Sequence, residues 1–210
     1  MRFCIFNNVA VGTAHAMAVH GLERVAIVDF DVHHGNGTEH IFADEPRVLL
    51  CSSFQHPYYP FSGAETVSDH VVNVPLPADT AGGGFRAAIE AAWLPVLEEF
   101  SPQLILVSAG FDAHERDPLG QLRLQDDDYF WITAELREIA ERWCDGRIVS
   151  LLEGGYDLEA LATAAAAHVG AGIDIGRLCD HRFEIELIVD QVGLVLAHVL
   201  RDTGAADEEA

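Results

Sequence analysis

With 210 residues, half of them hydrophobic, the chain is long enough to bury the core of one ordinary domain and too apolar for intrinsic disorder. Its 34 acidic and 12 basic residues give a formal net charge of -22. That balance excludes nucleic acid as a direct ligand, because phosphate binding needs clustered Lys and Arg; it suits a cationic substrate or partner and also serves solubility.

No stretch approaches the ~18 consecutive apolar residues of a membrane span, and no charged start, apolar run and small-residue cleavage site open the chain. No membrane association is expected. Cys4, Cys51, Cys144 and Cys179 lack any metal-finger spacing and sit in apolar surroundings. They read as reduced core thiols, and the expected location is cytoplasmic.

Residues 9–20 predict a small-residue helix stopped by Gly21. Residues 24–30 (RVAIVDF) predict a strand apolar on both faces, the mark of a parallel sheet covered on both sides. This strand runs into Asp29, Asp31, His33, His34 and a Gly-Asn-Gly turn. On an extended strand alternate side chains share a face, so Asp29, Asp31 and His33 are expected to point the same way. Two carboxylates and an imidazole at the end of a buried strand suggest a metal site.

A short helix over 38–43 and a second buried strand over 47–53 follow. Residues 54–63 (FQHPYYPFSG) read as a loop, of the aromatic kind that walls a pocket or folds back onto the core. Residues 71–76 predict a short strand, 82–84 (Gly-Gly-Gly) a hinge or turn, and 85–100 a helix with apolar residues at helical spacing. A buried strand over 104–108 leads to Asp112 and His114, and 126–143 predict an amphipathic helix with an acidic first turn, as the helix dipole favours. A strand over 147–152 delivers Glu153-Gly154-Gly155-Tyr156, and 158–169 form an Ala-rich helix. Beyond it, helix is expected around 185–198 and an acidic, frayed tail over 201–210.

Strands alternating with helices predict an α/β fold, a mainly parallel sheet flanked by helices on both faces. Ligands of such sheets bind beyond the carboxyl ends of the strands. Three predicted strands end there in Asp29/Asp31/His33, Asp112/His114 and Tyr156. Asp31, His33 and Asp112 supply two oxygens and one nitrogen, a set that suits zinc with one position open; a hydrogen-bonded polar cluster is the alternative. Asp29, one pleat deeper, suits a supporting or structural-cation role, and His34 alternates to the other face. The Tyr156 phenol either donates to a developing oxyanion or packs over its turn.

These segments together resemble the zinc-dependent histone deacetylase superfamily, which includes bacterial acetylpolyamine amidohydrolases. FCIFNNVA, VAIVDFDVHHGNGTE, FQHPYYPFSG, LVSAGFDAH and EGGYDL stand in the family's order over roughly residues 3–169. The expected organisation is a deacetylase-like α/β domain over 1–170 lacking the family's N-terminal part, a helical region over 171–200 and the tail. The resemblance implies zinc ligands at Asp31, His33 and Asp112, and a catalytic Tyr156 that hydrogen-bonds the amide oxygen. It also implies a structural potassium site at Asp29 with Ser52, and a substrate channel along Phe3, Tyr59 and Gly155. The implied substrate is an acetyl-lysine peptide or protein, or an acetylpolyamine, hydrolysed by metal-activated water.

The family's His-His base pair, which precedes the stretch matching Phe3, has no counterpart here, since His33-His34 belongs to the metal strand. Arg2 stands where the family usually has Gly, and Phe54 where a His is common. The expectations are a start internal to a longer gene product and weak turnover by these 210 residues. Two alternatives stand beside the enzyme: a metal-stabilised protein that holds acylated ligands without cleaving them, and an arginase-like binuclear manganese hydrolase. The oligomeric state is open.

Overall fold

A computed structural model describes residues 5–172 in full and the backbone of 184–190 and 193–199. Helix α1 (Asn8–His20) starts where the Asn7 side chain accepts the Ala10 N–H at 2.9 Å, and stops at Gly21, whose φ of 66° returns its N–H to the Ala16 carbonyl. Strand β1 (Val25–Asp29) is buried along its whole length. It is the centre of a five-stranded parallel sheet of order β3-β2-β1-β4-β5, formed with β2 (Val48–Gln55), β3 (Val71–Leu76), β4 (Leu104–Ala109) and β5 (Ile148–Leu152). In register, Asp29 lies between Ser52 of β2 and Ser108 of β4, so β1 ends on a polar row shared with its two neighbours.

Both faces are covered, as continuous apolar strands require. Val25 and Ile27 pack with Leu50, Leu106, Val9 of α1 and Phe42 of α2 (Asn36–Phe42). Ala26 and Val28 pack on the opposite face with Trp93 of α3 (Gly82–Phe100), Ile132 of α4 (Asp126–Trp143) and Ala164 of α5 (Leu158–Gly172). No helix among the described residues is long and apolar enough to cross a membrane.

Three expectations need correction. Gly82–Gly84 are the first turn of α3 rather than a hinge. A Cβ on Gly82 would lie 2.2 Å from Asp128 Oδ1, so the missing side chain lets α3 begin against the start of α4. Phe54 and Gln55 extend β2 instead of opening a loop, because the Gln55 N–H finds the Val32 carbonyl at 2.9 Å. The expected helix around 185–198 is an antiparallel pair, β6 (Glu184–Asp190) and β7 (Gly193–Val199), registered from Glu184↔Val199 to Asp190↔Gly193. EIELIVD is rich in β-branched residues and begins with strict alternation, a period of two that outweighs its helix formers. The acidic tail, Phe3, Cys4 and Cys179 lie outside the described residues.

Leu50, fully buried in β2, reports on the sheet that carries the site. Leu50→Ala is expected to lower stability by about 2–5 kcal/mol, read as a lower urea midpoint at unchanged m-value.

Candidate metal centre

The chain leaves β1 after Asp29 and turns through Asp31 and His33 into α2, so the extended alternation expected there stops short. The turn nonetheless puts Asp29, Asp31 and His33 on one cleft of about 110 Å³ beyond the carboxyl ends of the strands. Ser108 from β4, and Glu153, Gly154 and Tyr156 from just past β5, close its other side. This is where an open parallel sheet collects its ligands.

One potential donor atom from each of Asp31, His33 and Asp112 lies within 4.8 Å of the others. His33 Nδ1 is 2.9 Å from Asp31 Oδ1 and 3.2 Å from Asp112 Oδ2. Backbone donors hold the carboxylates from behind. Val32 N–H donates to Asp112 Oδ1 at 2.9 Å, and His33 N–H and Gly154 N–H donate to the two oxygens of Asp31 at 2.8 and 3.0 Å. Asp112 Oδ2 and His33 Nε2, both buried, make no well-formed hydrogen bond among the described residues. Two glycines make the room. A Cβ on Gly154 would lie 2.1 Å from Asp112 Oδ2 and 2.7 Å from Asp31 Oδ2; one on Gly110 would lie 2.4 Å from Asp31 Oδ2.

The electrostatics are those of a crowded acidic pocket. Burial, then the charge of Asp31, pushes the Asp112 carboxyl up to about 7. Burial works against the His33 imidazolium, but the facing Asp112 and Asp31 carboxylates outweigh it and hold the ring at about 9. Glu153 is raised to about 7, first by burial and then by Asp31, while Ser108 Oγ donates to it at 3.2 Å. Asp29 is raised as well, mainly by burial, with Asp31 and Glu153 adding to it. Two clustered carboxylates held by backbone donors, with an imidazole between them and a side-chain-free space in front, fit a divalent cation, which would relieve the repulsion that raises Asp112.

Asp29 stands outside the ligand group and accepts the Asp31 N–H at 3.1 Å. Ser52, expected beside a cation, turns its Oγ to His34 Nδ1 at 3.4 Å. His34 is buried in a separate network, its Nε2 2.8 Å from Glu39 Oε2, and burial lowers its pKa. Tyr59 lines the cleft with its ring 6.2 Å from that of His33. Tyr156 lines it too, 38% exposed. Gly155 sits at φ 143°, a conformation side chains disfavour, and faces Leu161 and Phe111 while Gly154 forms the cleft wall. Sequence reasoning missed Glu153, Ser108 and Tyr58, whose ring tilts over His33 at 5.5 Å. The signal was available for two of them: each occupies or follows the last position of an apolar strand run.

Fold and pocket define an α/β domain with a candidate metal site of two carboxylates and one imidazole at the strand ends. The family model described as the histone deacetylase domain matches residues 1–171, and the chain belongs to that family. It is 40% identical over 174 residues to histone deacetylase 14, chloroplastic, of Arabidopsis thaliana, an alignment covering 79% of this chain and 41% of the relative. It is 44% identical over 163 residues to a histone deacetylase-like amidohydrolase of Pseudomonas aeruginosa, covering 74% and 43%. It is 41% identical over 179 residues to polyamine deacetylase HDAC10 of Mus musculus, covering 80% and 26%. The chain thus spans less than half the length of these relatives. The solved HD domain of HDA15 superposes with a TM-score of 0.75 at 36% identity, covering 82% of this chain and 50% of that one.

Gly154→Ala is expected to weaken the binding of a divalent cation, with zinc as the probe, ~10–100-fold, the usual cost of disturbing a metal ligand's support, in isothermal titration of a protein whose circular dichroism is unchanged. Glu153 generates a second expectation. Its carboxyl, moved from 4.5 to about 7, keeps in the folded chain a proton that the unfolded chain has already released. The stability this contributes is complete below about pH 4.5 and is lost as pH rises towards about 7. Glu153→Gln, neutral throughout, should therefore gain on the wild type across that window in urea unfolding of the metal-free protein. A difference that stays constant with pH would contradict the assignment.

Proposed function

We propose that the chain carries the metal-and-tyrosine half of a zinc-dependent amide hydrolase that removes an acetyl group from acetyl-lysine or from an acetylpolyamine. The observation that carries this reading is the convergence of Asp31, His33 and Asp112 within 4.8 Å, with Asp31 and His33 on a cleft that Tyr156 also lines. The relatives named histone deacetylase-like amidohydrolase and polyamine deacetylase support the substrate class.

Asp31, His33 and Asp112 would hold the ion, and bound zinc supplies Lewis acidity towards a carbonyl and a more acidic water. Tyr156 would donate a hydrogen bond from its hydroxyl to the amide oxygen as negative charge develops there. Tyr59, beside the His33 ring, would flank the aliphatic stem of the acylated amine. Potassium beside Asp29 would answer the same buried-charge problem one step behind zinc. One three-residue ligand group among the described residues supports a single catalytic ion rather than an arginase-like pair.

A second reading draws on His34. His33-His34 is the sole adjacent histidine pair of the sequence, and neither ring is available as a base: His33 faces the two aspartates, and His34 is tied to Glu39. The 210 residues would then hold an acylated amine and cleave it slowly. General-base help is worth ~10²–10⁴ in rate, so only weak single-turnover cleavage of an Nε-acetyl-lysine peptide is expected from zinc-loaded protein. Tyr156→Phe should lower that residue of activity by a further ~10²–10³. Rapid deacetylation, or a rate indifferent to Tyr156→Phe, would contradict the proposal.

A further inference from the structure

Residues 117–121 (DPLGQ) supply nothing to the chemistry proposed above, yet they hold residues on several sides of the site. Asp117 is 7% exposed, and both its carboxylate oxygens are engaged. Oδ1 accepts the Leu119 N–H at 2.9 Å, an Asx turn. Oδ2 accepts the Tyr156 N–H at 2.7 Å and, at longer range, the Asp157 N–H at 3.4 Å. The Leu119 carbonyl accepts the hydroxyl of Tyr58, the ring that tilts over His33. Gly120 lies against the metal-site strand end, where a Cβ would be 2.3 Å from the Asp112 carbonyl oxygen. Gln121 exchanges two hydrogen bonds with Gln55 at the end of β2, at 2.7 and 2.8 Å.

Tyr156 needs such a brace. It follows two glycines, one at φ 143°, and glycine surrenders more backbone freedom on ordering than any other residue. From the far side the turn is tied to α5, where Asp157 Oδ1 accepts the Ala160 N–H at 2.8 Å. On the near side Gly154 is held by Asp31 and by the Phe111 N–H, while the Tyr156 N–H itself goes to the Asp117 carboxylate. A hydrogen bond to an ionised acceptor is shorter and stronger than a neutral one.

We propose that Asp117 is a positioning residue for Tyr156: by capturing the tyrosine's backbone N–H it fixes the Gly154-Gly155-Tyr156 turn so that the phenol stands over the cleft. The inference rests on the reading of Tyr156 as the donor to the developing oxyanion. A donor misplaced by ~1 Å can forfeit ~10²-fold in rate, so an anchor remote from the reacting atoms matters to them.

The test uses the zinc-loaded 210-residue protein and a fluorescent lysine peptide in which a trifluoromethyl ketone replaces the acetamide; its hydrate mimics the tetrahedral state. Binding is measured for wild type, Asp117→Asn, Tyr156→Phe and the double variant, with zinc content and exchange of the Tyr156 amide proton followed in parallel. Asn keeps the shape of Asp but offers one acceptor, so its amide N–H₂ must face either the Leu119 or the Tyr156 N–H. Asp117→Asn is expected to weaken binding on the order of tenfold, the size of one hydrogen bond to a charged group, and Tyr156→Phe by up to ~10²–10³, the donor's whole contribution. The double variant should be no weaker than the worse single one, zinc content should stay constant, and the Tyr156 amide should exchange faster in Asp117→Asn. Wild-type binding by Asp117→Asn, losses that multiply in the double variant, or loss of zinc would overturn the positioning role alone. No effect of Tyr156→Phe would overturn the oxyanion reading, and this inference with it.

Discussion

Everything at the strand ends depends on one electrostatic arrangement: Asp31 and Asp112 are brought to the same imidazole in a pocket from which side chains have been removed. Two carboxylates in a low-dielectric pocket repel, and the cost appears in the raised Asp112 carboxyl and, opposite it, in the raised His33 ring. The backbone is arranged to hold the conflict in place. N–H groups of Val32, His33 and Gly154 each take an oxygen, and Gly110 and Gly154 leave the space in front clear. A cation is the economical resolution of that repulsion, which is why the geometry reads as a binding site rather than a cap.

The sheet divides the work among its strands. The centre strand β1 delivers Asp31 and His33, its neighbour β4 delivers Asp112, and β5 delivers Gly154 and Tyr156. Because the parallel registers bring all these ends to one edge, residues far apart in sequence meet without any long excursion. The 117–121 segment then links the two aromatic residues on either side, Tyr58 through the Leu119 carbonyl and Tyr156 through Asp117. The turn of the tyrosine and the loop over the histidine are thereby set by the same short stretch of chain.

Much of this was legible in the sequence because continuous apolar runs mark buried parallel strands and the reactive residues sit where those runs stop. On that ground Asp31, His33 and Asp112 could be expected at one edge of the sheet although they follow different strands, and the resemblance joined them as ligands. Other features were not legible, each for a physical reason. Three consecutive glycines look like a hinge, but close approach to Asp128 makes them the start of a helix. A mixed segment such as EIELIVD holds both helix formers and β-branched residues, and alternation decides it only once a partner strand is present. Ser52 is implied beside a cation by the resemblance; its hydroxyl stands 3.4 Å from His34 Nδ1, a contact that strand register alone does not disclose. Asp117 was invisible because its importance lies in a hydrogen bond to a backbone 39 residues away.

Zinc K-edge X-ray absorption on the zinc-loaded 210-residue protein tests the central claim most directly. The account predicts a shell of oxygen and nitrogen alone at ~2.0–2.2 Å with the scattering of one imidazole, and no sulfur. A sulfur shell at ~2.3 Å, from any of the chain's cysteines, or the signature of more than one imidazole would contradict it.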